Sequence, residues 1–267
     1  IGDVMTTRWA YEAIAVEQFR SNRYMKPFFD TDMSISRYDW QSAFLIPELK
    51  RKSNECVFTA GKQEYEDIYR NGLAKLETHI GELSSETGID PAQAMRVIKR
   101  DPFTQDASYI VNDYLDSLQK KIRRKYLQQT AVKDSITAAL VAKMGQDELV
   151  RLRTATYNND LADIVLNRTV QKKVYETEHR IIQKSDPVLM MPDSRIGRAH
   201  FYAPYKMLGN LRIPTLLFNM AIIWLVNILL FVTLYFNLLK LLLNLLERIN
   251  IPGFGSDRLV PPWELIK

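Results

Sequence analysis

From Ile213 to Leu239 the chain reads IPTLLFNMAIIWLVNILLFVTLYFNLL, about 27 residues without an Asp, Glu, Lys, Arg or His. A helix of that length reaches ~40 Å, more than the ~30 Å hydrocarbon core of a bilayer. Lipid offers no partner to a free N–H or C=O, and a helix satisfies both within the segment. Pro214 sits near the start, where a missing amide hydrogen costs little, and Arg212 and Lys240 bracket the run with stems that reach headgroups. The run predicts a membrane-spanning helix. Its pattern continues through LKLLLNLLERI to Ile249 and stops at IPGFG, as the end of a tilted helix or a segment lying at the interface. The competing reading is a helix buried inside a large soluble protein.

At 100° per residue, Thr215, Asn219, Thr233 and Asn237 share one face, with Asn244 just beyond and Asn227 off the stripe. Polar side chains in lipid take partners on other helices, so the stripe predicts packing against neighbours. A lined transport path is the second interpretation. Charge does not orient the span. Arg195, Arg198, Lys206 and Arg212 precede it, and Lys240, Arg248, Arg258 and Lys267 follow it, which gives the positive-inside rule nothing to act on.

Outside this run charges are spread evenly. The 25% charged residues and net charge of +5 suit a protein near anionic lipid without naming a partner. Cys56 is the one cysteine, which excludes an internal disulfide. Residue 1 is Ile, and no charged-then-apolar signal follows it, so the start reads as an internal point of a longer polypeptide or a processed end.

The remainder reads as helical. A helix is predicted from about Thr6 to Arg20, capped by Thr6 or Thr7. Asn22 to Phe58 shows weak periodicity and predicts short helices and irregular chain, with Asp39 to Phe44 the best helical candidate. Gln63 to Leu83 repeats apolar residues at three or four. GIDPAQAMRVIKRDP carries an Asp90 cap, Pro91 at the first helical position and a stop before Pro102. A long helix is predicted from near Asp106 to Met144, on an apolar line of Ile110, Tyr114, Leu118, Ile122, Tyr126, Ile136 and Leu140. Further helices are expected over Asp147 to Thr156 and Leu161 to Gln183, broken at Gly145 and at Tyr157-Asn158-Asn159. Strand signals are scarce, and the expected fold is all-α, a helical bundle or antiparallel hairpin. Asp186 to Arg212 forms a connection whose FYAPYKMLGN stretch suits the headgroup zone.

Little in the chain points to catalysis. There is no Gly-rich phosphate loop. His79, His179 and His200 are too dispersed to imply a metal site, and no spacing singles out a triad or a carboxylate pair. The basic run of Lys120, Lys121, Arg123, Arg124 and Lys125 lies mid-helix among Asp113, Asp116 and Asp134. It reads as a solvated surface first and an acidic-partner contact second. With no recognisable module beside it, nucleic acid is not an expected partner. Asn167-Arg168-Thr169 matches the glycosylation triplet, a pattern too common to carry weight.

Two stretches resemble a known family. TTRWAYEAIAVEQF, residues 6–19, resembles the stretch near the outer end of the fifth membrane helix in G-type (White-like) ABC transporters. IGRAHFYAPYKMLGNLRIPTLLFNMAIIW, residues 196–224, looks like the approach to the last membrane helix in a Bacteroidetes branch of these transporters. There ATPase and permease are fused, and an unusually long extracytoplasmic domain precedes the last helix. The resemblance covers about 45 residues.

It implies that residues 1–19 end the penultimate membrane or re-entrant region and that residues 20–205 fold as a helical periplasmic domain. Residues 206–249 then carry the last transmembrane helix and its extension, and residues 250–267 form a cytoplasmic tail. Arg8, Tyr11, Glu12 and Phe19 match the first anchor, where the family packs and positions its external lid. Asn219 and Trp224 match the start of the last helix. The implied function is the C-terminal permease portion of an ATP-driven exporter in a bacterial inner membrane. ATP and Mg would be bound by a domain outside this chain. Implied partners are the other permease helices, a second half-transporter, lipid and a periplasmic protein. The alternative is a single-span membrane scaffold or interaction protein with a helical soluble domain. A membrane-bound hydrolase, needing Ser, His and acid to converge, comes third.

Overall fold

The structure, a computed structural model, describes residues 5–238 and residue 240. Two compact units divide the chain, the first reaching to Met220 and the second beginning at Ala221.

The first unit opens with α1 (Thr6–Ser21). Its N-cap is Met5, with no side-chain cap, so both threonines expected to cap lie inside the helix. The stretch expected to hold short helices and irregular chain is almost continuously helical, the Asp39 to Phe44 candidate included. α2 (Phe29–Trp40) runs through a π-helical turn (Gln41–Leu45) into α3 (Ile46–Thr59). The extra residue of that turn shifts the apolar register midway, which weakens any single 3.6-residue period. A 3-10 turn precedes α4 (Glu66–Thr87), and Asp90 accepts from the Ala92 amide to start α5 (Ala92–Ile98). Pro91 is the N-cap of α5, one residue before the first helical position.

α6 (Gln105–Met144) is a single helix of 40 residues, about 60 Å long, capped by Thr104. Its fully buried line is Val111, Leu115, Leu118 and Ile122, one residue on from the predicted Ile110 and Tyr114. Those two pack at the margin, where the Tyr114 hydroxyl donates to Ile89 O at 2.9 Å. α7 (Gln146–Thr156) and α8 (Asn159–Val165) follow, with Asn158 capping α8. The principal core joins α6 to Ile46 and Leu49 of α3, Leu76, Ile80 and Leu83 of α4, and Val97 and Ile98 of α5. At Gly72 the α3–α4 approach is so close that an added Cβ would lie 2.5 Å from Cys56 Sγ. A second core gathers Val16 and Phe19 of α1 with Phe29, Met33, Val165, Val188 and Tyr205.

The predicted helix over Leu161 to Gln183 is corrected. α8 ends at Val165, and the chain then forms an antiparallel hairpin of β1 (Val174–Glu176) and β2 (Ile181–Gln183). Tertiary bonds hold this short hairpin in place. Trp40 Nε1 donates to Lys173 O at 3.2 Å, and the Ile181 amide donates to His79 Nε2 at 2.8 Å. Glu176 meets Lys52 at 2.7 Å, Lys75 at 3.0 Å and Arg51 at 3.3 Å. A second hairpin, β3 (Tyr205–Leu208) and β4 (Leu211–Pro214), occupies the end of the expected connection. Among the described residues the fold is therefore mainly α-helical with two small open β elements, not purely helical.

α9 (Thr215–Tyr235) starts directly after β4, so Ile213 and Pro214 are strand residues. Its 21 residues span about 32 Å, and among the described residues it is the helix long and apolar enough to cross a membrane. From Ala221 onward the second unit presents large apolar side chains, among them Trp224, Leu229, Phe231 and Leu234, that are mostly exposed. Within the described residues 11% of its most apolar stretch is buried. The helix gives way to a turn at Phe236, and Asn237 adopts a left-handed conformation at φ 48°. Asn244, the expected extension to Ile249 and the tail over 250–267 lie outside the described residues.

Candidate functional site

A carboxylate in the middle of an apolar helix face needs an explanation, and Glu12 is 3% exposed. Its partner comes from β3. Strand alternation sends Tyr205 and Lys206 to opposite faces, and Lys206, also 3% exposed, places Nζ 2.7 Å from Glu12 Oε1. The other carboxylate oxygen accepts from Asn219 Nδ2 at 3.0 Å, and the same amide donates to Trp9 O at 2.9 Å. Asn219 is fully buried, and its Oδ1 has no hydrogen-bond partner among the described residues.

One turn earlier, Thr215 anchors the start of α9. Its amide donates to Pro204 O at 3.1 Å, and Oγ1 donates to Ala203 O at 2.5 Å. Three segments, α1, β3 and α9, thus converge on one buried polar cluster. Its contacts join residues 194 and 207 positions apart in sequence.

The cluster is ringed by aromatic and cationic groups. Tyr11 stacks on Phe201 at 6.4 Å and also meets Tyr202, while Arg8 lies over Trp9 and Phe201. Tyr205 is held between Arg20 at 4.5 Å and Arg212 at 3.5 Å. Tyr202 has φ +68°, a conformation that costs a bulky residue ~1–3 kcal/mol. Burial, with Tyr11 beside it, pushes the Tyr202 phenol above its ordinary value. His200 is held by a 2.7 Å contact from Nε2 to Pro187 O. Pro187 O can only accept, so Nε2 carries a proton, and burial lowers the pKa of the ring.

Glu12, Thr215 and Asn219, three of the residues singled out by sequence, come together in this cluster. Arg8 and Tyr11 join its aromatic rim, and Phe19 packs in the second core. The others stand apart. Trp224 is 66% exposed on the opposite face of α9 from Asn219. Thr233 Oγ1 bonds back to Leu229 O within the helix, and Asn237 lies in the turn beyond it. Lys206 was missed, being read only as one of four flanking cations. Its cue is a lone cation among the apolar residues Tyr205, Met207 and Leu208.

Elsewhere, His79 serves the β1–β2 hairpin and His179 is exposed. Among the described residues no group of His, Cys, Asp or Glu is arranged to hold a metal ion. In the basic run, Lys120, Arg123 and Arg124 are exposed, whereas Lys125 donates to Glu86 O at 2.8 Å. The Asn167 side chain donates to Lys184 O.

The junction cluster carries no nucleophile and no acid–base pair open to a substrate. What it can do is fix geometry. Two opposite charges and an amide removed from water are stable only while all three elements stay in place. No protein-family model, curated protein sequence or solved structure matches this chain.

Proposed function

We propose that the chain is the C-terminal permease portion of an ATP-driven exporter akin to the G-type (White-like) ABC transporters. It contributes the last membrane helix and a large external domain. One observation carries the reading: Glu12, in the first stretch of resemblance, bonds Lys206 and Asn219, both in the second. A domain inserted between two membrane helices must leave and re-enter the bilayer at neighbouring points. A buried polar tie between its outgoing and returning strands of chain serves that geometry. The aromatic and arginine rim around the tie is the composition expected of a headgroup zone.

On this reading α9 spans a bacterial inner membrane and residues 20–205 face the periplasm. ATP and Mg act through a domain outside this chain. A second half-transporter completes the permease, and the external domain gates an exit path or meets a periplasmic protein.

The test is the native polypeptide. Its intact mass and the reading frame upstream of Ile1 should reveal further spans and an ATPase cassette, in the same chain or an adjacent gene. A native mass near 31.1 kDa with no such partner gene would instead favour the single-span scaffold, with its helical unit as an interaction module.

A further inference from the structure

One face of the β3–β4 hairpin ends in a row of exposed apolar side chains. Leu208 pairs with Leu211 across the hairpin, and an antiparallel bridge sets Ile196 opposite Leu208 on its other side. Directly opposed residues share one face of a sheet, so Ile196, Leu208 and Leu211 form a shelf three strands wide. They are 77%, 45% and 62% exposed. Lys206, two positions before Leu208, lies on the same face and is 3% exposed. The face thus runs from the buried junction out to open aliphatic carbon.

The shelf is fixed beside the start of α9. The Gly197 amide donates to Met207 O and the Gly209 amide to Arg195 O, both at 2.7 Å. At Gly197 an added Cβ would lie 3.0 Å from Phe218 Cζ and 3.4 Å from Leu208 Cδ2, so one glycine brings the shelf against the fourth residue of the helix. Arg212, just before the apolar run, belongs on the water side of a bilayer, and Phe218 lies just inside the hydrocarbon boundary. The shelf therefore stands at the depth of the headgroups and the first acyl carbons.

Charge narrows the lipid class. Asp193 is the one acid between Met190 and Arg212, against Arg195, Arg198, Lys206 and Arg212. Glu12 takes Lys206, while Arg212 is held by the Tyr205 ring and by Asp30 at 3.8 Å. Arg195 and Arg198, which flank Ile196 and Gly197, are exposed and have no ion-pair partner among the described residues. Single exposed leucines need no explanation, but a contiguous apolar row beside unpaired arginines at bilayer depth is the composition of an interfacial lipid contact.

We propose that this shelf docks on an anionic phospholipid, with the phosphate on Arg195 and Arg198 and the upper acyl chain on Ile196, Leu208 and Leu211. The inference rests on α9 crossing a bilayer and is indifferent to whether the protein exports anything.

The test uses the full chain with Cys56→Ala in lipid nanodiscs. A nitrobenzoxadiazole fluorophore is placed on Leu211→Cys, on Leu225→Cys in α9, or on Glu178→Cys, where the native side chain is 82% exposed. In phosphatidylcholine discs, iodide should quench the Leu211 label about a third as strongly as the Glu178 label, or less. Acyl chains bearing a nitroxide near the headgroup should quench it about twofold more, or better, on phosphatidylglycerol than on phosphatidylcholine. Arg195→Gln combined with Arg198→Gln should abolish that preference. Thermal unfolding establishes that each variant is folded. The proposal is overturned by a Leu211 label as open to iodide as the Glu178 label, or by one shielded from iodide and lipid alike, as under a protein cover. Equal quenching by the two lipids, or a preference that survives the double variant, also overturns it. In each case a Leu225 label quenched by lipid leaves the span standing, whereas a Leu225 label unreached by lipid removes span and shelf together.

Discussion

Lys206 Nζ lies 2.7 Å from Glu12 Oε1, both side chains almost wholly removed from water, across 194 residues of intervening chain. Such a pair is worth little as a net gain, because desolvation offsets most of its attraction, but it is costly to break from one side.

Glu12→Ala or Lys206→Met, each leaving one buried charge without its counter-ion, should therefore destabilise the first unit by about 3–5 kcal/mol. Glu12→Leu combined with Lys206→Met should recover most of that loss. Asn219→Ala should cost less, about 1–3 kcal/mol, since it removes donors from a carboxylate and a carbonyl. Unfolding in mild detergent, followed by circular dichroism, measures all four. Additive losses in the double variant would mean that the two side chains are not coupled.

At the α3–α4 contact, Gly72→Ala should destabilise by about 1–3 kcal/mol, because its new methyl meets Cys56 Sγ. Cys56→Ala made alongside should relieve much of the penalty. A denaturant double-mutant cycle reads the coupling, and no rescue would place the strain elsewhere.

Burial pushes the Cys56 thiol up to about 12, with the Glu55 carboxylate adding to it. The thiolate is the reactive form. In the native protein at pH 8, Cys56 should resist a maleimide for hours, and denaturant should expose one reactive thiol per chain. Rapid native labelling would show that α3 and α4 open readily at this point.

Burial opposes ionisation of Glu176, but hydrogen bonds from Lys52 and Lys75 outweigh it and hold the carboxyl down to about 2, from an ordinary 4.5. A carboxyl with a depressed folded pKa stabilises the fold above its unfolded value, and the contribution fades as pH falls through the folded one. The β1–β2 hairpin should therefore loosen between about pH 4.5 and 2. Amide exchange at Ile181 is the readout, and Glu176→Gln should make the hairpin loose already at neutral pH. An unchanged exchange profile in that variant would mean that Trp40 and His79 hold the hairpin unaided.

The parts legible in the sequence are those whose cause is local. The long uncharged run and the breaks at Gly145 and Asn158 each follow from a few adjacent residues and lie where expected, and Asp90 bonds the Ala92 amide although the N-cap itself falls one residue later, at Pro91. Asn219 was visible because a polar group in an apolar run demands a partner, whereas Glu12 was singled out only through the stretch of resemblance. What escaped depends on distant chain. Three-residue strands carry too few alternations to outvote a helical period, and β1–β2 owes its existence to Trp40, His79 and the lysines of α3 and α4. Lys206 escaped for the same reason. In the α6 stripe Leu118 and Ile122 are buried as expected, while Ile110 and Tyr114, which look apolar in isolation, yield their places to Val111 and Leu115.

Pro214 closes β4 and Thr215 opens α9 with no residue between them. The junction has no slack in which torsion could dissipate. Turning the first turn of α9 by one residue step, about 100°, would swing Asn219 off Glu12 and pull Thr215 from Ala203 together. The strand and the opening of the helix up to Asn219 are therefore tied together, and α1 registers any shift there through a carboxylate bonded to both.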